Sequence, residues 1–137
     1  VKQLKNGQAI WFACDAGAFG ARKEGIWDPA SVQYEALLGG FSTAMPKGKR
    51  LEYSSSSATH AMLLTGVHFD KEGKPDRWKI ENSWGKDVGD KGYFVCSEAY
   101  FKEFVYEAVI DRRHFSPAQL AMLEKAPVVI NAWDEDY

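Results

Sequence analysis

The chain has 137 residues, room for one domain and too few for two comfortable ones. Its apolar content of 45% and charged content of 26% are those of a globular domain, and its 14% of aromatic residues can fill a core. A net charge of −2 argues against a global nucleic-acid-binding field, and no apolar run approaches a membrane span.

No signal peptide is visible, and the opening V-K-Q-L-K-N-G-Q reads as the middle of a longer polypeptide. The two cysteines, Cys14 and Cys96, make neither a disulfide framework nor a zinc site by spacing. They read as free thiols of a reducing compartment, the expectation being a cytoplasmic protein.

The first strand is expected over residues 8–14, Q-A-I-W-F-A-C, a nearly continuous apolar run. Residues 15–25 hold three glycines and read as a loop. A short helix is predicted over 31–38, with Tyr34, Leu37 and Leu38 at helical spacing and Gly39-Gly40 ending it. Residues 45–50 read as a polar connection. A strongly apolar strand follows over 61–69, then a turn punctuated by Gly73 and Pro75. Residues 77–82 alternate, with Trp78, Ile80 and Asn82 on one face and Lys79 and Glu81 on the other, the period of a half-buried strand. Two strands joined by a short polar loop make an antiparallel hairpin.

Residues 84–91 are glycine-spaced and irregular. A strand is expected over 92–96, in which Cys96 alternates with Phe94 as packing, then a helix capped by Ser97 and running to Phe104. Another strand is expected over 105–111. Ser116-Pro117-Ala118-Gln119 spells a helix start, with serine at the cap, proline at the first helical position and glutamine where a capping box needs it. Leu120 and Leu123 form that helix's expected buried side. The sum is an α+β, mostly antiparallel domain with three short helices.

Of the three histidines, His68 near a strand end and His114 after two arginines read as structural or solvated residues. His60, in T-H-A-M-L-L-T-G-V, stands where a buried strand begins, and Asn82 ends the next strand 22 residues later. In a hairpin the start of one strand lies near the end of its partner, so the two can meet across the ladder. The asparagine oxygen would then accept from one imidazole nitrogen, fix the ring, and leave the other nitrogen facing a reacting group. Trp84 could cover that bond and keep water from competing for it. On spacing alone, a core histidine satisfied by a nearby polar group accounts for the pattern at least as well.

The strings around these residues carry more. T-H-A-M at 59–62, E-N-S-W-G at 81–85 and G-D-K-G-Y-F at 89–94 resemble the histidine and asparagine blocks of papain-like cysteine peptidases. W-F-A-C-D at 11–15, K-R-L-E-Y at 49–53, E-F-V-Y-E-A-V-I-D-R-R at 103–113 and A-W-D at 132–134 look like the bleomycin hydrolase and aminopeptidase C group of that family. The resemblance implies a papain-like fold, of which this chain is the carboxy-terminal, β-rich half (antiparallel sheet or barrel). It also implies a cysteine-type aminopeptidase acting on peptides, with His60 as proton donor, Asn82 orienting it and Trp84 shielding the pair.

By the same resemblance the nucleophilic cysteine belongs to the other half, absent from these residues. Cys14 precedes His60 by 46 residues, well short of the roughly 130–150 that separate nucleophile and histidine in such enzymes, and no helix starts after it. The resemblance further implies the missing cysteine-bearing half and a hexameric homo-oligomer as partners, and neither metal nor other cofactor. Membrane partners are not expected. The basic candidates for nucleic acid, Lys47, Lys49, Arg50, Arg112 and Arg113, form no stripe with aromatics and read as solvated surface. The relatives' carboxy-terminal arm blocks the unprimed subsites, and the ending Glu135-Asp136-Tyr137 departs from their small, apolar one, which leaves the exopeptidase restriction open. The competing reading is a catalytically inactive papain-like fragment, or an assembly and interaction module.

Overall fold

The computed structural model describes residues 1–42 and 44–129, and the A-W-D string at 132–134 lies outside them. Seven strands form one mixed sheet: β1 (Ile10–Cys14), β2 (Gly20–Ala21), β3 (Ile26–Trp27), β4 (His60–Phe69), β5 (Pro75–Glu81), β6 (Tyr93–Ser97) and β7 (Val105–Ala108). Their spatial order is β2-β3-β6-β5-β4-β1-β7. The helices are α1 (Lys2–Lys5), α2 (Tyr34–Leu37), α3 (Lys47–Glu52), α4 (Glu98–Phe104) and α5 (Pro117–Leu123), with 3-10 turns at Pro29–Ser31 and Arg112–His114. The α+β class stands.

The hairpin expected in the middle of the chain is present: β4 and β5 pair antiparallel, with Leu63 opposite Glu81 and Val67 opposite Trp78. Directly opposed residues of an antiparallel pair project to the same face. Ile10 opposite Leu64 and Phe12 opposite Met62 are all buried, so the same face of β1 and β4 carries the core. On β5 the same layer continues through Trp78 and Ile80, and on β6 through Phe94 and Cys96. Helix α4 lies against this layer and contributes Tyr100 and Phe104. Ser97 caps it by accepting from the Tyr100 amide at 3.2 Å, as its sequence implied.

The sheet is mostly antiparallel, as expected, with β3 running parallel to β6 and Trp27 opposite Cys96. Three features depart from expectation. Residues 15–25 are not simply a loop: they contain β2, which forms a short ladder with β3. Two-residue strands carry no readable period; what holds them is Trp27, fully buried, stacked on Phe94 at 4.8 Å and donating its indole N–H to the Ala16 carbonyl at 3.1 Å. Residues 47–52 are helix rather than connection. Pro46, which reads as a breaker, sits at the cap, and Arg50 ties α3 down by pairing with Glu103 and lying 4.6 Å over the Phe104 ring. Helix α1 also forms where the sequence pattern predicts no element. Gln3 holds it, donating to the Ala9 carbonyl at 3.2 Å and accepting from the Asp111 amide at 2.9 Å.

The capping box of α5 forms as spelled, with Gln119 Oε1 accepting from the Ser116 amide and Ser116 Oγ accepting from the Gln119 amide. Its expected buried side does not: Leu120 is half-buried and Leu123 is exposed.

One close approach demands glycine. Gly25 has φ +73°, and a Cβ there would stand 2.6 Å from the Gly89 Cα, so the β2–β3 hairpin can meet the loop before β6 only without a side chain.

Candidate active site

The apolar layer of β4 runs out at its first residue. His60 shares a face with Met62 and Leu64, but it lies at the strand's end, where the cover stops, and it is half-buried. Asn82 follows β5 immediately, on the face of Trp78 and Ile80, and its backbone N–H donates to the Gly92 carbonyl at 3.1 Å. The hairpin brings the two together: His60 Nε2 lies 2.9 Å from Asn82 Oδ1.

The chemistry of that contact is decided by a second bond. The Ser83 amide donates to the same Asn82 oxygen at 2.8 Å, which identifies that atom as the carbonyl oxygen of the side chain. A carbonyl oxygen only accepts, so His60 Nε2 carries the proton of the pair. In the neutral ring Nδ1 is then unprotonated, and no hydrogen bond among the described residues reaches it. The ring can therefore hold a proton at Nδ1 or give it up without losing its orientation.

Trp84 stacks on the imidazole, with ring centroids 4.9 Å apart and planes 19° from parallel. It is itself held by Trp27 at 5.8 Å and by the edge of Phe94 at 5.6 Å. His60, Thr59, Trp84, Trp27, Ala16, Gly17, Gly20 and Arg22 line an open cleft of about 370 Å³. A larger cavity of about 1120 Å³ lies elsewhere, between α2, α3 and α4, and none of His60, Asn82 and Trp84 borders it.

Cys14 lies directly opposite His60 in the β1–β4 ladder, nearer than its sequence separation suggests. Its side chain is nonetheless fully buried in the core layer. Burial pushes the thiol up to about 11; a hydrogen bond with Tyr100 opposes this and the Asp15 carboxylate adds to it. At neutral pH such a thiol stays protonated and out of reach. Cys96 is buried too, with its pKa raised chiefly by burial, and both cysteines are free. Tyr100 donates its hydroxyl to the Asp15 carbonyl at 2.6 Å.

His68 pairs with Asp76 on the surface, and the bond from the ring holds that carboxyl below its ordinary value. His114 belongs to a 3-10 turn and is half-buried. Most of the basic residues considered for nucleic acid are paired with acids: Lys49 with Glu52, Arg50 with Glu103, Arg112 with Glu124 and Arg113 with Asp111. Lys47 lies over the Tyr106 ring at 5.1 Å. Among the described residues no group of three or more His, Cys, Asp or Glu could hold a metal ion, and no helix is long and apolar enough to cross a membrane. Arg22, whose guanidinium lies 4.6 Å over the Trp84 ring, lines the cleft without any signal in the sequence. It falls in a stretch without period, and no pattern marks it.

Comparison with known proteins agrees with the strings around this pair. The model of the Peptidase C1-like family matches residues 1–135. Aminopeptidase C of Streptococcus thermophilus is 42% identical over 134 residues, covering 98% of this chain and 30% of that protein. Bleomycin hydrolase of Homo sapiens is 41% identical over 133 residues, covering 96% of this chain and 29% of that protein. The chain thus spans about 30% of the length of these curated relatives. Among solved structures, pepw from Lactobacillus rhamnosis HN001 superposes with a TM-score of 0.83 at 46% identity, over 89% of this chain and 27% of that one.

Proposed function

The chain belongs to the Peptidase C1-like family, and from that premise we propose that it is the carboxy-terminal, His- and Asn-bearing part of a cysteine-type aminopeptidase of the aminopeptidase C and bleomycin hydrolase group. The observation that carries the reading is the 2.9 Å bond from His60 Nε2 to Asn82 Oδ1, which orients a ring whose Nδ1 is otherwise unengaged. The thiolate comes from the part of the enzyme outside these 137 residues, since Cys14 and Cys96 are sealed in the core.

In this reading the thiolate and the His60 imidazolium form a pair. The thiolate adds to the peptide carbonyl. His60 Nδ1 gives its proton to the departing amine as the C–N bond breaks, which leaves an acyl-enzyme and neutral His60. A water then loses a proton to Nδ1 and attacks the acyl carbon, and the thiolate leaves with the acid released. Asn82 acts through His60 as a positioning residue, and Trp84 keeps water off the bond between them. The bond is not spent at either step, because Asn82 accepts from Nε2 whether or not Nδ1 is protonated.

Peptides with a free amino end are the substrates, a hexameric ring the assembly and the cytoplasm the compartment, all by likeness to the group. A second reading, an assembly module without turnover, draws on the exposed apolar side chains Leu37, Leu38 and Phe41.

The deciding experiment is hydrolysis of leucyl-7-amido-4-methylcoumarin by the full-length protein and by the 137-residue chain. Turnover by the full-length protein, lost in His60→Ala and absent from the isolated chain, is expected. A full-length protein without turnover leaves the assembly reading. Turnover by the isolated chain that vanishes with Cys14→Ala would show that the thiol is reachable after all.

A further inference from the structure

Among the described residues, the cleft beside His60 has one permanently charged group, Arg22. Its place is set by the β2–β3 hairpin. A Cβ at Gly20 would stand 2.6 Å from Trp27 Nε1, so the hairpin lies flat on the buried indole because residue 20 has no side chain. Two residues on, the Arg22 guanidinium lies over Trp84 at 4.6 Å from the ring centroid, and Trp84 in turn stacks on His60. A guanidinium lying over an aromatic ring is held there by the ring's charge distribution and keeps N–H donors for a further partner. None of the ion pairs among the described residues uses Arg22. Among the described residues no acidic side chain lines the cleft.

A guanidinium held by an aromatic face, with no carboxylate partner among the described residues, is suited to take one from a ligand. The direction from which that ligand comes follows from the chemistry assigned to His60. Nδ1 hands its proton to the departing amine, so the leaving fragment starts at His60, and the cleft that His60, Trp84 and Arg22 line is open to it. A carboxylate on that fragment lies two bonds from the amine nitrogen if it is the α-carboxylate of a dipeptide, and three if it is an aspartate side chain.

We propose that Arg22 is a specificity-determining residue that binds a carboxylate on the leaving side of the scissile bond. The proposal rests on the peptidase reading above. It makes the enzyme favour short peptides ending just past the cut, or peptides with an acidic residue there, over neutral counterparts. The contact is exposed, so its effect is modest, about fivefold in kcat/KM, and it shrinks as salt is raised.

The test compares kcat/KM within two matched pairs on the full-length enzyme at neutral pH: Leu-Gly against Leu-Gly-amide, and Leu-Asp-amide against Leu-Asn-amide. The first pair reads the α-carboxylate and the second the side chain. Because each ratio is internal to one protein, it is insensitive to a general loss in a variant. The expectation is a preference of about fivefold for the carboxylate in at least one pair, a ratio near one in Arg22→Ala and a reversed ratio in Arg22→Glu. Equal rates in both pairs for the wild type, or a preference that survives Arg22→Ala, would overturn the proposal. Those outcomes leave the peptidase reading intact, whereas no turnover of any substrate sinks that reading and this one with it.

Discussion

Replacing Asn82 by alanine removes the acceptor that holds His60 Nε2 at 2.9 Å and leaves the rest of the imidazole's surroundings in place. In the charged ring this bond is charge-assisted, a class that contributes about 1.5–3 kcal/mol. With about 1.4 kcal/mol per factor of ten in rate, full loss of its orienting effect corresponds to a fall in kcat of roughly 10- to 150-fold. Two features pull the figure toward the lower end. The pair is half-buried, and the stack with Trp84 at 4.9 Å still restricts the ring plane. The expected loss is therefore about 10- to 30-fold, against more than about a thousandfold for His60→Ala, which removes the proton donor itself. Asn82→Asp keeps an acceptor and places a negative charge beside the imidazolium. It should move the alkaline limb of the pH–rate profile to higher pH while retaining more activity than alanine. The assay is steady-state hydrolysis of leucyl-7-amido-4-methylcoumarin by the full-length protein across pH 5–9. Equal and complete loss in Asn82→Ala and His60→Ala would refute the division of roles, as would an Asn82→Ala enzyme with unchanged kcat.

Other consequences concern the frame around the pair. The Cys14 thiol, raised to about 11 from 9.0, favours the folded state while protonated. Its stabilisation is complete below pH 9 and is lost as pH rises from about 9 to about 11, so Cys14→Ala should make the alkaline fall in melting temperature shallower. For the same reason, mass-mapped labelling with a thiol reagent at pH 8 should leave Cys14 unmodified until the protein unfolds, and rapid native labelling there would contradict its burial. Trp27→Ala empties a fully buried site that seats Phe94, Trp84 and the Gly20 hairpin, and it should cost about 3–5 kcal/mol in a urea titration. Gly25→Ala should destabilise by more than Gly73→Ala, since both have positive φ but only the first Cβ meets backbone, at 2.6 Å. Equal losses would mean that φ alone sets the cost.

What was legible in the sequence is what local pattern carries. The alternation Trp78, Ile80, Asn82 and the apolar run after His60 determined a hairpin, and the 22-residue spacing put the two polar residues at its open end. Caps were equally local: Ser97 and Ser116 each bond an amide three residues ahead, and both act where the sequence places them. The motif strings then identified the family, which spacing alone could not do. Tertiary structure decided everything that depends on contacts between distant segments. The parallel seat of β3 beside β6, the helix at Lys47–Glu52 anchored through Arg50 to Glu103, and the exposure of Leu123 follow from what happens to lie opposite each segment. So do the two facts that matter most at the site. Cys14 stands across the ladder from His60 yet is sealed and protonated, because its side chain belongs to the core layer. Arg22, from a stretch with no pattern at all, reaches the indole that covers His60, because a buried tryptophan holds its hairpin there.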